Sequence, residues 1–149
     1  MYKHILVPTD GSELSDKAVT EAIKLAKAVG AKMTAVHVVG SYHLVLPGEG
    51  FATPEIPSLK QRIEEEEATR AKQILGPIKE AAKTAGVECD VIVATGEVPY
   101  EMIIDQATRF GCDLIIMASH GRSGLQGILL GSVTQKVLTH SKIPVLVCR

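Results

Sequence analysis

The sequence predicts an α/β fold, an open five-stranded parallel sheet with helices on both faces. Short apolar runs recur along the 149 residues, and stretches with helical spacing separate them. These runs are apolar nearly throughout rather than alternating, which is typical of strands covered on both faces. The turns between the segments are short, apart from one long loop. Regular alternation of this kind gives right-handed crossovers and a parallel sheet.

The first third of the chain contains two strands and one helix. Residues 5–7 form the first apolar run, and a polar turn follows it. Helical spacing begins after Ser12 or Ser15, either of which suits an N-cap, and it ends at Gly30, which suits the C′ position. Residues 33–39 are predicted as the second strand.

The middle of the chain combines a long loop with a long helix. Residues 40–57 contain three glycines and three prolines and show no period, so they are expected to form a loop. Helical spacing covers residues 59–85, with a kink or interruption expected at Gly76 and Pro77. The acidic run 64–67 is interpreted as a solvated helix face, because four successive carboxylates point around a helix rather than together.

The last third completes the alternation. Pro99 suits the first turn of the third helix, and Gly111 closes that helix. The predicted strands of this region are 91–94, 113–118 and 144–148. The last helix is predicted at 132–140. The order is that of a doubly wound, Rossmann-like fold, in one domain spanning residues 1–149. Since no helix follows the final strand, it is expected at an edge of the sheet.

Composition argues against several classes of function. The net charge is −1 and aromatic residues make up 3%, so nothing favours binding to nucleic acid or to a membrane surface. The three cysteines are far apart and are interpreted as free, semi-buried thiols. The N-terminus lacks a signal-peptide pattern, and a cytoplasmic location is expected. His37 is interpreted as a core histidine, and His43 alone makes no metal site.

Two polar turns mark the candidate site. They follow strands one and four, at Thr9–Asp10 and at residues 119–124, and the carboxyl ends of parallel strands are where such sheets bind ligands. No Walker A sequence is present, and no dinucleotide fingerprint follows the first strand. A phospho-receiver domain is disfavoured because strand one ends in a single Asp10 and strand three runs into Thr95-Gly96.

Two interpretations of these turns remain open on residue chemistry alone. In the first, Asp10 accepts hydrogen bonds from ribose hydroxyls, while amides near Gly121 and Gly131 hold phosphates with the Ser132 and Thr134 hydroxyls. In the second, the glycines permit turns, Ser132 caps the last helix and Asp10 caps the first.

Over its whole length the chain resembles the universal stress protein family, in its small single-domain form. The segments that carry the resemblance are HILVPTDGS, AVHVV and DLIIMASHGRSGLQGILLGSVTQKVLTHSKIPVLV. The family's nucleotide signature, Gly-x2-Gly-x9-Gly-Ser/Thr, maps with complete spacing onto Ala118, Gly121 and Gly131-Ser132. The first glycine of that signature is therefore replaced by Ala118. The fold that the resemblance implies is of the adenine nucleotide alpha hydrolase type.

The resemblance also implies a ligand and a set of binding residues. The ligand would be ATP, or ADP or AMP, with Mg²⁺ or Mn²⁺ held through the phosphates. Val38 and Met117 would line the adenine pocket, and Asp10 would hold the ribose. The full set of implied binding residues is Pro8, Thr9, Asp10, Val38, Met117, Ala118, His120, Gly121, Arg122, Gly131, Ser132, Val133 and Thr134. Arg122 either assists a phosphate or lies free on the surface, and His120 is interpreted as shaping the turn rather than as catalytic.

The function implied is that of a cytoplasmic stress-response protein that senses or signals through a bound nucleotide, with slow hydrolysis at most. Homodimers would form through Val145–Cys148, and a downstream protein partner is expected without any indication of its identity. Two alternatives remain: a member of the same fold that binds proteins and no nucleotide, and an ATP-hydrolysing or adenylate-transferring enzyme. The sequence offers no evident residue to position water, which disfavours the enzyme.

Overall fold

A computed structural model describes residues 1–41, 55–122 and 130–149, with side chains from residue 58 onward in the second range. Most of the predicted long loop and part of the turn after the fourth strand, residues 42–54 and 123–129, lie outside the described residues. Strands and helices alternate in the described part. The elements are β1 His4–Pro8, α1 Glu13–Val29, β2 Lys32–Gly40, α2 Glu55–Ala85, β3 Cys89–Gly96, α3 Pro99–Arg109, β4 Leu114–Ala118, α4 Ser132–His140 and β5 Val145–Cys148.

The five strands form one parallel sheet in the order β3-β2-β1-β4-β5, which confirms the predicted fold class. Ile5 of β1 is in register with Met33 of β2 on one side and with Leu114 of β4 on the other. The strand order reverses between β1 and β4, so their carboxyl ends flank the point where ligands bind in sheets of this type. β5 lies at an edge, as predicted.

Helices cover both faces of the sheet. On one face, α1 and α2 pack on a buried cluster that includes Ile5, Val7 and Met33. On the other, α3 and α4 pack on a cluster that includes Leu6 and Val36. All residues of β1 and β4 are buried, which explains why these strands are apolar without alternation.

The ends of α1 follow from local chemistry. Ser12 is the N-cap, and its hydroxyl accepts a hydrogen bond from the backbone N–H of Ser15 at 3.3 Å. Gly30 closes the helix with φ +71°, a left-handed conformation that favours glycine. Of the two predicted caps, Ser12 is therefore correct.

The predicted loop is too long at both ends, and the predicted interruption of α2 is not found. The helix begins at Glu55, so residues 55–57 belong to it and not to the loop, and β2 extends to Gly40 at the other end of that loop. The helix also continues through Gly76 and Pro77 without interruption. Proline removes one backbone hydrogen bond, but Leu75 and Ile78 are buried on either side of it and hold the helix on the sheet.

The cysteines are free, as predicted, with Cys112 buried and the other two half-buried. Burial and the nearby Asp113 carboxylate raise the pKa of the Cys112 thiol to about 11, so it stays protonated at neutral pH. Within the described ranges, no helix is both long and apolar enough to cross a membrane.

Candidate functional site

A cleft of about 720 Å³ opens at the carboxyl ends of β1, β2 and β4, where the strand order reverses. Its volume is within the usual range for small-molecule sites. Every residue of the binding set implied by the sequence lines it, namely Pro8, Thr9, Asp10, Val38, Met117, Ala118, His120, Gly121, Arg122, Gly131, Ser132, Val133 and Thr134. The structure thus brings together two turns that are about a hundred residues apart in the chain.

The Asp10 carboxylate joins the two turns. Its Oδ1 accepts a hydrogen bond from the backbone N–H of Ser12 at 3.0 Å, and its Oδ2 accepts one from the backbone N–H of Arg122 at 2.8 Å. Asp10 is therefore not the cap of α1, since Ser12 holds that position. Each carboxylate oxygen retains acceptor capacity for a further donor from the cleft.

Gly121 and Gly131 are required by close approach rather than by unusual backbone angles. A Cβ at Gly121 would meet the Asp10 carboxylate, and a Cβ at Gly131 would lie 3.1 Å from the Cα of His120. Gly131 has φ −68°, and its N–H donates to the Ser119 carbonyl at 2.7 Å. At Gly131 the missing side chain makes room for the neighbouring His120 backbone.

The N-terminus of α4 faces the cleft without a side-chain cap. Gly131 is the N-cap and has no side chain, and Ser132 is the first helical residue, so the prediction that Ser132 caps this helix is wrong. The first-turn N–H groups of a helix lack partners within the helix, and the dipole adds positive potential there. The Thr134 hydroxyl donates to the Ala118 carbonyl at 2.9 Å, which ties this first turn to the end of β4.

Ala118 replaces the first glycine of the signature without backbone strain. No residue other than glycine in the described ranges has positive φ, so Ala118 adopts an ordinary conformation. It ends β4 in register with Cys148 of β5, and 7% of its surface is exposed. Ala118 is one of the residues that line the cleft.

An apolar wall forms the side of the cleft that faces α3. Val38 and Met117 were predicted there, and Val36 and Ile103 join them. Val36 lies two residues before Val38 on β2 and shares its face, a period-2 signal that was available in the sequence. Ile103 comes from the buried face of α3, and its approach to the cleft depends on how that helix packs.

His37 also lines the cleft, although it was predicted only as a core histidine. It is buried, as predicted, but its Nδ1 donates to the Thr9 carbonyl at 2.9 Å. The Thr9 hydroxyl in turn contacts the Ser15 hydroxyl at 3.0 Å. These bonds fix the backbone that immediately precedes Asp10.

Further cleft residues that were not predicted come from helices, and Glu67, Arg70 and Gln135 are among them. Glu67 and Arg70 are one turn apart on α2, and Gln135 lies in the first part of α4. Their spacing places them on helix surfaces, but no sequence signal shows that these surfaces reach the end of the sheet.

We also considered His120 as a catalytic residue and the acidic, histidine and cysteine side chains as metal ligands. His120 Nδ1 contacts the Ser119 hydroxyl at 3.2 Å, a local bond within the turn. Among the described residues, no group of three or more His, Cys, Asp or Glu side chains is arranged to hold a metal ion.

Comparison with known proteins extends these observations. The sequence model of the universal stress protein family matches residues 1–149. Universal stress protein MJ0531 of Methanocaldococcus jannaschii is 37% identical over 150 residues, which cover 100% of this chain and 83% of that protein. Universal stress protein YxiE of Bacillus subtilis is 36% identical over 150 residues, which cover 100% of both chains.

Solved structures agree with the sequence relatives. Protein MJ0577 of Methanocaldococcus jannaschii aligns with a TM-score of 0.81 and 32% identity over 99% of this chain and 96% of that one. A universal stress protein solved in complex with cAMP aligns with a TM-score of 0.72 and 27% identity over 99% of this chain and 97% of that one. On the family match over its full length, this chain belongs to the universal stress protein family.

Proposed function

We propose that the chain binds an adenine nucleotide, ATP or its shorter relatives ADP and AMP, and acts as a nucleotide-dependent sensor or signalling module. The observation that carries this proposal is the cleft at the sheet's switch point. It joins an apolar wall, an acceptor carboxylate and an uncapped helix N-terminus in a single cavity. Those are the three kinds of surface that a base, a ribose and a phosphate chain require.

The base and the ribose have distinct places in the proposed complex. The adenine would lie against Val38 and Met117, where burial of its flat surface is favourable. The ribose hydroxyls would donate to the Asp10 carboxylate, whose two oxygens each accept one backbone N–H from the described residues. Pro8 and Thr9 would flank the base.

The phosphates would be held mainly by backbone groups. Gly131, Ser132, Val133 and Thr134 supply the first turn of α4, and Gly121 leaves room beside Asp10. Mg²⁺ or Mn²⁺ would bind through the phosphate oxygens, which suits the hard, oxygen-seeking chemistry of these ions. Adenine burial and phosphate contacts together would give micromolar-range affinity, about −8 kcal/mol.

A relative supports the ligand class. The universal stress protein solved with cAMP shares 27% identity with this chain across nearly its whole length. That complex supports an adenine nucleotide as the class of ligand that this chain would bind.

Signalling would follow from the link between the two turns. The Asp10 carboxylate already accepts a hydrogen bond from the Arg122 N–H, which links the two turns. A ribose that competes for this carboxylate would weaken that link. A protein partner that recognises one arrangement would then respond to the nucleotide, which is a population shift. Hydrolysis is expected to be slow or absent, and steady phosphate release above about 1 per second would contradict this expectation.

Two further properties belong to the proposal. The protein would be cytoplasmic, and it would form a homodimer through the edge strand Val145–Cys148. A parallel edge strand offers unpaired backbone groups to a second copy.

The experiment that tests the ligand class is direct. The purified protein is denatured, and any released nucleotide is separated by chromatography and identified by mass. Release of ATP, ADP or AMP in near-stoichiometric amount supports the proposal. Recovery of no nucleotide, together with no binding of added ATP, would favour a protein-interaction module that uses the same fold without nucleotide.

A further inference from the structure

Two arginines occupy the rim of the cleft on the side that faces α2. Arg70 projects from α2, and Arg122 follows β4 in the turn that bonds to Asp10. Both are exposed, and both line the cleft. Both also line a second groove, about 770 Å³ in volume, that runs along α2. They therefore mark the place where the two cavities meet.

The Arg122 guanidinium lies toward α2. A Cβ placed on Gly11 would lie 3.3 Å from Arg122 Nη2 and 2.8 Å from Ile74 Cγ1. The guanidinium and the Ile74 side chain of α2 are therefore neighbours. Arg70 lies one helical turn before Ile74 on α2. Arg122 Nη2 therefore lies near Ile74, one helical turn from Arg70, although the two arginines come from distant parts of the sequence.

Both guanidinium groups are available to a ligand. Within the described part of the chain, neither of them has a hydrogen bond or an ion pair with a protein group, whereas Lys24 and Lys60 pair with acidic neighbours. The Asp10 carboxylate is engaged by two backbone N–H groups instead. Glu67 lines the same cleft and offsets part of the positive charge.

We propose that Arg70 and Arg122 form a site for the terminal phosphates of a nucleoside di- or triphosphate, and thereby set how many phosphates the protein prefers. The inference rests on the proposed nucleotide function. The cleft that contains the apolar wall, Asp10 and the first turn of α4 is also lined by both arginines. In the proposed complex the α4 first turn would hold the phosphates nearer the ribose, and the terminal phosphates would reach the two arginines, because guanidinium groups bind phosphate oxygens through paired N–H donors.

The test compares AMP, ADP and ATP by calorimetric titration of the wild-type protein and of Arg70→Gln. The wild type should bind ATP most tightly and AMP least tightly. Arg70→Gln should weaken ATP binding about tenfold, equivalent to ~1.4 kcal/mol, and change AMP affinity by less than about twofold. Arg122→Gln should have the same pattern, because its backbone N–H to Asp10 is retained.

Arg62→Gln is the matched control. Arg62 lies on the same helix and lines the same groove but not the cleft, so its loss removes equal charge and should leave all three affinities unchanged. Equal melting temperatures of the variants would show that each one folds.

Each possible outcome has a distinct meaning. If Arg70→Gln leaves ATP binding unchanged, or weakens AMP as much as ATP, the terminal-phosphate site is wrong while AMP binding still upholds the proposed function. If the wild type binds none of the three nucleotides, the proposed function itself is wrong and the inference fails with it.

Discussion

Among single residues, Asp10 contributes to the site both through its hydrogen bonds within the protein and as a proposed contact to the ligand. Its carboxylate accepts backbone N–H groups from two turns, and it faces the cavity between the apolar wall and α4. Replacing this side chain therefore removes a link within the protein as well as a contact to the proposed ribose.

We expect Asp10→Ala to weaken adenine nucleotide binding about tenfold or more, because charge-assisted hydrogen bonds to the ribose hydroxyls are lost. Titration calorimetry measures the effect. Asp16→Ala is the control, since Asp16 is an exposed acidic residue in the first turn of α1 and its loss changes the net charge equally. Unchanged affinity in Asp10→Ala would show that Asp10 does not bind the ribose.

His4, at the opposite end of the sheet, makes stability depend on pH. Its Nδ1 donates to the Phe110 carbonyl at 3.0 Å, and its Nε2 contacts the Thr34 hydroxyl at 2.8 Å. Burial, assisted by the positive charge of Lys32, lowers the pKa of His4 below its ordinary value of 6.5, against the opposing pull of Asp113 and Asp90. The folded protein therefore binds a proton at His4 less readily than the unfolded chain does.

The sign of the effect follows from linkage. The contribution of His4 is fully present above pH 6.5 and is lost as pH falls toward the lowered pKa of the folded state. We expect the free energy of unfolding to decrease between pH 7 and pH 5, and His4→Gln to flatten that slope in urea titrations. His140→Gln, an exposed replacement of the same type, is the control. An unaltered slope in His4→Gln would exclude His4 as the source.

At the scale of elements, α2 shows how tertiary contacts can override a local signal. Gly76 and Pro77 are both exposed and both disfavour a helix, yet the helix runs through them. The stabilisation comes from Leu75 and Ile78, which are buried against the sheet.

Removing the two unfavourable residues should stabilise the protein. We expect Pro77→Ala to raise the free energy of unfolding by about 1–3 kcal/mol, because one backbone hydrogen bond is restored. Gly76→Ala should add about 0.5–1 kcal/mol, since a Cβ there would meet nothing within 4 Å. Urea unfolding measures both changes. A loss of stability in Pro77→Ala would mean that the proline ring is needed where it lies.

The predictability of each element depended on whether its determinants were local. Ser12 and Gly30 bound α1 through side-chain and backbone chemistry that is written in the sequence. The turns with Asp10 and Gly131 could be placed because the carboxyl ends of parallel strands converge. The contributions of Arg70, Glu67 and Ile103 could not be placed, because the orientation of a helix across a sheet is set by packing between distant residues.

At the scale of the whole molecule, the strand order leaves β3 and β5 as the two edges. Leu146 on β5 is 40% exposed and Val93 on β3 is 50% exposed, so each edge has one large apolar side chain available to a partner. The proposed dimer uses β5.

We therefore expect Leu146→Lys to convert the proposed dimer to a monomer, because a charge would be buried in the proposed interface. Val93→Lys, the equivalent change on the other edge, should leave the dimer intact. Size-exclusion chromatography with light scattering measures both masses. Dissociation by Val93→Lys and not by Leu146→Lys would place the interface at β3 instead.

The proposed function requires that the cleft between the two turns hold an adenine nucleotide. Titration calorimetry with ATP and Mg²⁺ tests it most directly, on the wild type, on Gly131→Val and on Gly40→Ala. Gly40 lines the same cleft in open space, whereas a side chain at Gly131 meets the His120 backbone. We predict one micromolar-range site per chain in the wild type and in Gly40→Ala, and loss of binding in Gly131→Val with the fold retained by circular dichroism. Absence of binding heat in the wild type, or undiminished binding in Gly131→Val, would contradict the claim.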